Sequence, residues 1–329
     1  MFVSRIKDVL ISKLLSKFWF CLLSFIIALI LVLPYLPTNW ITQVLEYSIY
    51  LSPRWMFLIL LLPIVVFWKK LSKVYRLIFL VYVIVLVNFQ DININIPSNN
   101  KNAPSFKLLS LNMGGGSAGK YLKTLMTREN PDVFLFQETS LQNIDDAFDS
   151  SWNYQCDKGL CIASKFSFKK IGEFSRRIFG GWGNFASYYE LNINGKTLPL
   201  MNVHLETPRH ILSELIGLSI NMRNIENFRE NKSLEASMLS TWASSQSSFV
   251  MAGDFNMTIN ESLYHDYFYS YQNALNIAGL GANYTKYTSW HGVRIDHTLA
   301  SSNMSFERAD VMPSLGGDHR AVVTVISLP

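Results

Sequence analysis

Histidine is missing from the first 203 residues of this 329-residue chain, and acidic side chains are nearly so from the first 99, which hold only Asp8, Glu46 and Asp91. Cysteine is scarce, with 3 in all, and the 6 histidines are scattered without an HExxH pattern. That excludes the common zinc modules, which need four clustered Cys or His ligands or two His one helical turn apart. The basic excess is local. Residues 1–99 carry 9 Lys/Arg and a net charge of +6, whereas the remaining 20 Lys/Arg meet 21 Asp/Glu for a net of −1. The overall +5 therefore describes the N-terminal third and points to membrane orientation rather than to a nucleic-acid footprint.

What fills that third is apolar sequence. Phe18 to Leu36 is almost unbroken and has the length needed to cross a bilayer, with Arg5, Lys7, Lys13 and Lys17 before it. The run is too long for the apolar core of a signal peptide, and no small-residue cleavage site follows. Trp55 to Trp68 extends back to Tyr50 if Arg54 snorkels, and Leu77 to Phe89 comes next. The expectation is three transmembrane helices, at 18–37, 50–68 and 77–95, behind a basic cytoplasmic terminus at 1–17. Lys69, Lys70, Lys73 and Arg76 between the second and third runs belong inside by the positive-inside rule, which exports everything after Phe89. A second run that failed to span would instead leave the C-terminal part in the cytoplasm. The apolar runs Phe18 to Leu36, Trp55 to Trp68 and Leu77 to Phe89 carry no acid or histidine of the kind that lines an ion path, which argues against a channel or transporter. Ser98 to Pro104 reads as part of a linker at 96–104 to a domain at 105–329.

That domain alternates apolar strands with polar strand ends. Phe106 to Asn112 is a strand followed by Gly114 to Gly116; Lys120 to Arg128 has helical spacing; Pro131 to Glu138 is a second buried strand. Strand, helix and strand at this length form a βαβ unit, which places Asn112 and Glu138 at the same edge. Shorter strands follow at Gly159 to Ser164, Ser187 to Ile193 and Leu198 to Leu205, the last ending on His204. Ser213 to Ser244 reads as a helical region. Val250 to Met257 (VMAGDFNM) is a short apolar strand that ends on Asp254 and Asn256, two apart and so on one face. Trp290 to Ser301 contains a strand with Asp296 and His297, and Gly316 to Arg320 holds Asp318 and His319. Cys156 and Cys161 flank a hairpin turn; in an exported domain they can pair, and otherwise they are small buried hydrophobes.

Together Asn112, Glu138, His204, Asp254, Asn256, Asp296, Asp318 and His319 form an oxygen-rich set with two imidazoles. Such donors suit Mg2+ (or Mn2+) held beside a substrate phosphate. The blocks LSLNM (109–113), PDVFLFQET (131–139), NVHL (202–205), GDFN (253–256), RIDH (294–297) and GDHR (317–320) resemble, in order, those of the endonuclease/exonuclease/phosphatase (DNase I-like) superfamily, here as a membrane-anchored bacterial-type member. The resemblance implies a four-layer α/β sandwich, with Glu138, Asn112 and Asp318 as metal ligands and Asp254 activating the attacking water. It implies that Asn256 and Asn112 hold phosphate, that His319 acts beside the scissile phosphate oriented by Asp296, and that His204 contacts phosphate or assists the leaving group. His204 sets the chain apart from the AP-endonuclease branch, which has Tyr there.

The expected activity is a membrane-anchored, Mg2+-dependent phosphoesterase with its catalytic domain on the periplasmic side of the inner membrane. Its substrate is a lipid-linked phosphate, or, in the alternative, extracytoplasmic nucleic acid. No obligate protein partner is evident. A non-catalytic scaffold is the third reading, disfavoured because no signature position is missing. The aromatic-rich stretch Arg176 to Tyr189 (RRIFGGWGNFASYY) is a candidate for lipid or base contact, although most of its rings are expected to pack.

Overall fold

The computed structural model describes residues 2–95, 104–116, 121–314 and 316–329, apart from the side chains of the first thirteen residues and of Lys70. The chain divides into two compact units, Met1–Ile92 and Asn93–Pro329. The linker expected at 96–104 lies, save Pro104, outside the described residues.

The first unit is helical, and it corrects the expectation of three separate spans. Helix α1 (Phe2–Val32) runs into a short 3-10 turn, and its stretch Leu14–Tyr35 is long and apolar enough to cross a membrane. The second run is broken. Helix α2 (Trp40–Tyr50) bends by 76° into Trp55–Val66, which itself splits into α3 (Trp55–Ile59) and α4 (Leu62–Val66). Pro53 and Pro63 lack the N–H that a helix needs, and each ring clashes with the carbonyl four residues back, so a continuous helix cannot form through either. Helix α5 (Lys73–Asn88) has 16 residues, roughly 24 Å against a hydrocarbon core of about 30 Å. Among the described residues, one helix therefore has span length, or two if the bent pair counts as one. Arg54 does not snorkel; it is buried, and its guanidinium donates to the carbonyls of Tyr50 and Phe89.

The second unit contains eleven longer strands: β1 (Ser105–Asn112), β2 (Val133–Gln137), β3 (Asn153–Asp157), β4 (Leu160–Ser164), β5 (Phe168–Ser175), β6 (Asn184–Ile193), β7 (Lys196–His204), β8 (Val250–Asp254), β9 (Asp296–Ala300), β10 (Ser305–Val311) and β11 (Val322–Ser327). They form two six-stranded sheets. One has the order β10-β11-β1-β2-β4-β3, and the other runs from the two-residue edge Gln272–Asn273 through β9-β8-β7-β6-β5. The parallel pairing expected for residues 106–112 and 131–138 is present, with Asn112 opposite Gln137, and β7 and β8 also run parallel. The other pairs are antiparallel.

Strand alternation explains the layering. Phe106 and Leu108, Val133 and Leu135, Leu198 and Leu200, and Val250 and Ala252 share one apolar layer between the sheets. Their neighbours Leu109, Leu111, Phe134 and Phe136 face outward into a second layer with Leu122 and Leu125 of helix α6 (Leu122–Glu129). Met201, Val203 and Met251 face outward on the other side, against Ala236 and Leu239 of helix α8 (Met222–Ser244). Three apolar layers separate four layers of secondary structure, the sandwich expected. The helical region expected from 213 to 244 holds two helices, α7 (Arg209–Ile216) and α8, and Asn221 caps α8 by accepting from the N–H groups of Arg223 and Asn224.

Gly253 is where the parallel pair comes closest. Its φ is +149°, and a Cβ there would stand 1.9 Å from the Val203 carbonyl oxygen. Gly253→Ala is expected to cost about 3 kcal/mol or more, since backbone rather than a flexible side chain must move. A thermal melt of the full chain in detergent checks this; an unchanged melting temperature would refute the close approach.

Candidate active site

The inward-facing positions do not stay apolar along the strands. Each series changes character at one end: Phe106, Leu108, Ser110, Asn112 on β1; Val133, Leu135, Gln137 on β2; Leu198, Leu200, Asn202, His204 on β7; Val250, Ala252, Asp254 on β8. Strand β9 runs the other way and begins with Asp296 opposite Asp254. The inter-sheet layer thus closes in a polar patch drawn from both sheets. Beneath it, Gln137 Nε2 donates to Asn202 Oδ1 at 2.7 Å, and Asn202 Nδ2 donates to the carbonyls of Phe136 and Cys161. These buried amides fasten one sheet to the other just under the chemistry.

Asn112 is the junction. Its Nδ2 donates to Glu138 Oε1 and to Asp254 Oδ2, both at 2.9 Å, while its Oδ1 accepts from the N–H of Gly114. Glu138 lies one residue past β2 in the left-handed region, φ +51°, and that turn takes it out of strand alternation. His204 Nε2 stands 3.3 Å from Glu138 Oε1. The His204 imidazole, with help from the Asn112 amide and against partial burial, holds the Glu138 carboxyl down to about 2. Asp254 is buried, and burial together with the neighbouring Asp296 pushes its carboxyl up. His319 Nδ1 donates to Asp296 at 3.0 Å, and its Nε2 lies 3.7 Å from Asp254 Oδ2. Burial alone would lower the imidazole; the Asp296 and Asp254 carboxylates outweigh it and hold His319 up at about 9. The backbone of Asp296 is itself pinned, its N–H donating to Thr285 Oγ1 at 3.0 Å.

Six of the eight residues singled out in the sequence are thus joined in one run of contacts, Glu138 and His204 through Asn112 and Asp254 to His319 and Asp296. The other two stand differently. Strand β8 ends at Asp254, so alternation does not carry to Asn256. That residue has φ +49°, its N–H donates to Asp254 Oδ1, and its side-chain amide donates to the Leu205 carbonyl. Its carbonyl accepts from the buried Lys232 at 2.5 Å. Asp318 sits at the rim, ion-paired to Lys286, which keeps its carboxyl low despite partial burial. The polar cleft, about 310 Å³, opens among Asn112, Glu138, Arg209, Lys286, Asp318 and His319. Arg209 and Lys286 went unremarked in the sequence, since a lone cation on a loop or helix end gives no local signal there.

A profile of the Endonuclease/Exonuclease/phosphatase family matches residues 109–319. The chain belongs to this family. Similar solved structures include an endonuclease/exonuclease/phosphatase family protein of Bacteroides thetaiotaomicron (15% identity, 69% of this chain and 99% of that one, TM-score 0.52). Others are the AP endonuclease LMAP of Leishmania major (14%, 73% and 94%, 0.52) and D. rerio TDP2 complexed with single strand DNA product (13%, 68% and 99%, 0.52). No curated protein matches the chain in sequence. As a family member the chain is a metal-dependent hydrolase acting on phosphate ester bonds.

The residues fit a metal. Glu138, His204 and Asp254 bring one ligand atom each within 4.8 Å of one another, and Asp254, Asp296 and His319 form a second such group that shares Asp254. The first group joins a half-buried carboxylate that is ionised at neutral pH to a buried one that needs positive charge beside it to ionise, a demand that a divalent cation meets.

A second cleft, about 650 Å³, adjoins the first and shares Glu138 with it. Its walls mix Leu141, Cys156 and Trp182 with Asn143, Asp157 and Lys158. Cys156 and Cys161 are disulfide-bonded across β3 and β4, with a Cα separation of 4.1 Å. Trp182 is 78% exposed, while Phe174, Phe179 and Phe185 around it pack together.

Proposed function

We propose that this family member is a membrane-anchored, Mg2+-dependent phosphoesterase that hydrolyses a lipid-linked phosphate ester by direct attack of water. The observation that carries the chemistry is the unbroken line of contacts from Glu138 to Asp296, of which Glu138, Asn112 and His319 line the polar cleft. Glu138, with Asn112 beside it, holds the cation; Asp318 acts from the rim. When bound, the cation withdraws charge from the phosphate oxygens. Asp254, its basicity raised by burial, orients the water and takes its proton. His319 is protonated at neutral pH and presents Nε2 to the phosphate, with Asp296 fixing its tautomer. His204 reaches the leaving oxygen beside Glu138. Asn256 contributes by holding Asp254 through its N–H, while its side-chain amide is given to the Leu205 carbonyl. Arg209 and Lys286 add positive charge at the mouth.

Membrane attachment rests on Leu14–Tyr35 and on the charge bias of the first 99 residues. A tether raises the effective concentration of a bilayer substrate over a soluble one. With Leu14–Tyr35 as the single span and Arg5, Lys7, Lys13 and Lys17 on the cytoplasmic side, the catalytic unit lies on the periplasmic side. Alkaline phosphatase fused after Lys101 is expected to be active; an inactive fusion together with an active cytosolic reporter at that site would reverse the orientation.

Nucleic acid is the second reading, favoured by the likeness to an AP endonuclease and to a TDP2 holding a single strand DNA product. Full-length protein assayed on sphingomyelin, plasmid DNA and a bis-aryl phosphodiester, with Mg2+ and with EDTA, separates the two. Cleavage of DNA alone would overturn the lipid reading; no cleavage of any of them would overturn hydrolysis by this cleft. Trp182 in the second cleft gives a further expectation. Trp182→Ala should raise KM about tenfold for esters with an apolar or aryl substituent while leaving kcat within about twofold, the loss of roughly 1.4 kcal/mol of uniform binding. An unchanged KM would remove Trp182 from substrate binding.

A further inference from the structure

The turn between α7 and α8 departs from ordinary surface chemistry. Residues 215–222 read LIGLSINM, without a charge. Ile216 is 85% exposed, Leu218 88%, Ile220 45% and Met222 54%. Leu218 also has a left-handed backbone, φ +52°, a conformation that is costly for a leucine. An exposed aliphatic side chain on a strained backbone gains nothing from the rest of the fold that offsets either cost.

The loop is nonetheless held in shape from below. The N–H groups of Gly217, Leu218 and Ser219 donate to the carbonyls of Ser213, Leu215 and Glu214. The Glu214 carboxylate accepts from Asn221 N at 3.1 Å and from Asn224 Nδ2 at 2.8 Å, and Asn221 caps α8. A polar base thus fixes the turn while four aliphatic side chains project from it.

We infer that this tip is a membrane-docking element that inserts into the interface of a lipid bilayer and sets the catalytic cleft at headgroup level. The inference rests on the membrane-anchored reading above. Three observations select a bilayer over a protein. The tip is a turn of eight residues, whereas a stable protein interface needs roughly 20–30 residues on each side. Interfacial insertion asks only for a few apolar side chains sunk about 5–10 Å into the headgroup boundary. The same chain carries Leu14–Tyr35, so the apolar phase is already tethered to it. The first charge after the tip is the exposed Arg223, of the sign that anionic headgroups attract.

The link to the chemistry is α7 itself. Arg209 at its first residue lines the catalytic cleft, and Ile216 at its last belongs to the tip. Eight helical residues rise about 12 Å. With Ile216 and Leu218 below the headgroups, the Arg209 end of the helix stands at the depth of the headgroup phosphates. The substrate class that matches is a phosphate ester in the headgroup of a lipid that stays in its membrane.

The test uses the full-length chain with Cys21→Ser and its disulfide intact, reconstituted into phosphatidylcholine/phosphatidylglycerol vesicles. An environment-sensitive fluorophore is placed by Leu218→Cys, by Phe25→Cys within the apolar helix, or by Glu190→Cys on an exposed face away from the tip. Lipids spin-labelled near the headgroup are expected to quench position 218 at least twofold and to leave position 190 unquenched. Quenching at 25 without quenching at 218 would overturn the docking element and leave the anchor standing. Quenching at 218 without quenching at 25 would overturn the anchor and support the tip. A blue shift at 218 that no lipid quencher reduces means that protein covers the tip, and overturns the proposal. The double variant Ile216→Asp, Leu218→Asp is expected to lower hydrolysis of vesicle-borne phosphate ester about tenfold with turnover of a soluble aryl ester unchanged. An equal loss on both would refute docking.

Discussion

Replacing His319 by Asn is expected to lower kcat by about 10³-fold, within the range for loss of a positioned proton donor, while leaving the fold intact. His319 lies at the inner wall of the cleft, and its Nδ1 is committed to Asp296 at 3.0 Å, so only Nε2 is free to serve the phosphate. The imidazole is held up at about 9, hence charged throughout the neutral range. Activity that needs the protonated form should therefore be flat near neutrality and fall as pH rises through about 9. The stability that His319 contributes has the same sign. A folded-state value above the unfolded one gives stability that is complete below the ordinary histidine range and is lost as pH climbs through about 9. Asp296→Asn removes the largest support for the charge, so its alkaline limb should move to lower pH, a shift that a merely structural loss would not produce. Near-normal turnover in purified His319→Asn, or an alkaline limb unmoved in Asp296→Asn, would sink the assignment.

Glu138→Gln is expected to be as severe, roughly 10³-fold in kcat/KM, because it removes the carboxylate of the metal group that is held ionised at neutral pH. EDTA should abolish activity in the unaltered chain and Mg2+ should restore it. In Glu138→Gln, restoration should need a much higher Mg2+ concentration. Glu138 stays ionised until pH falls to about 2, so acid loss of activity near pH 5 would belong to another group. Full activity of Glu138→Gln in EDTA would exclude the metal role given to this residue.

The strand ends were readable because β-strands alternate. A run such as Phe-Lys-Leu-Leu-Ser-Leu-Asn places its polar residues two apart, and the same switch from apolar to polar recurs at Gln137, His204 and Asp254. The parallel pairing of β1 with β2 followed from the length of the helix between them. The strands at 168–175 and 305–311 were not read, since they lie half-exposed at sheet edges and carry little apolar periodicity. The N-terminal third misled through hydropathy, which counts apolar residues and ignores that Pro53 and Pro63 cut a helix into pieces too short to span.

The sequence by itself determined the types of group available and which strand ends carry carboxylate, amide and imidazole, because composition and periodicity are local properties of the chain. Only tertiary structure decided that Asn112 bridges Glu138 and Asp254, that Asn256 turns to the Leu205 carbonyl, that Asp318 is taken by Lys286, and that Arg209 joins the cleft. Each of those depends on a left-handed turn or on a contact between residues far apart in sequence, where no spacing rule reaches.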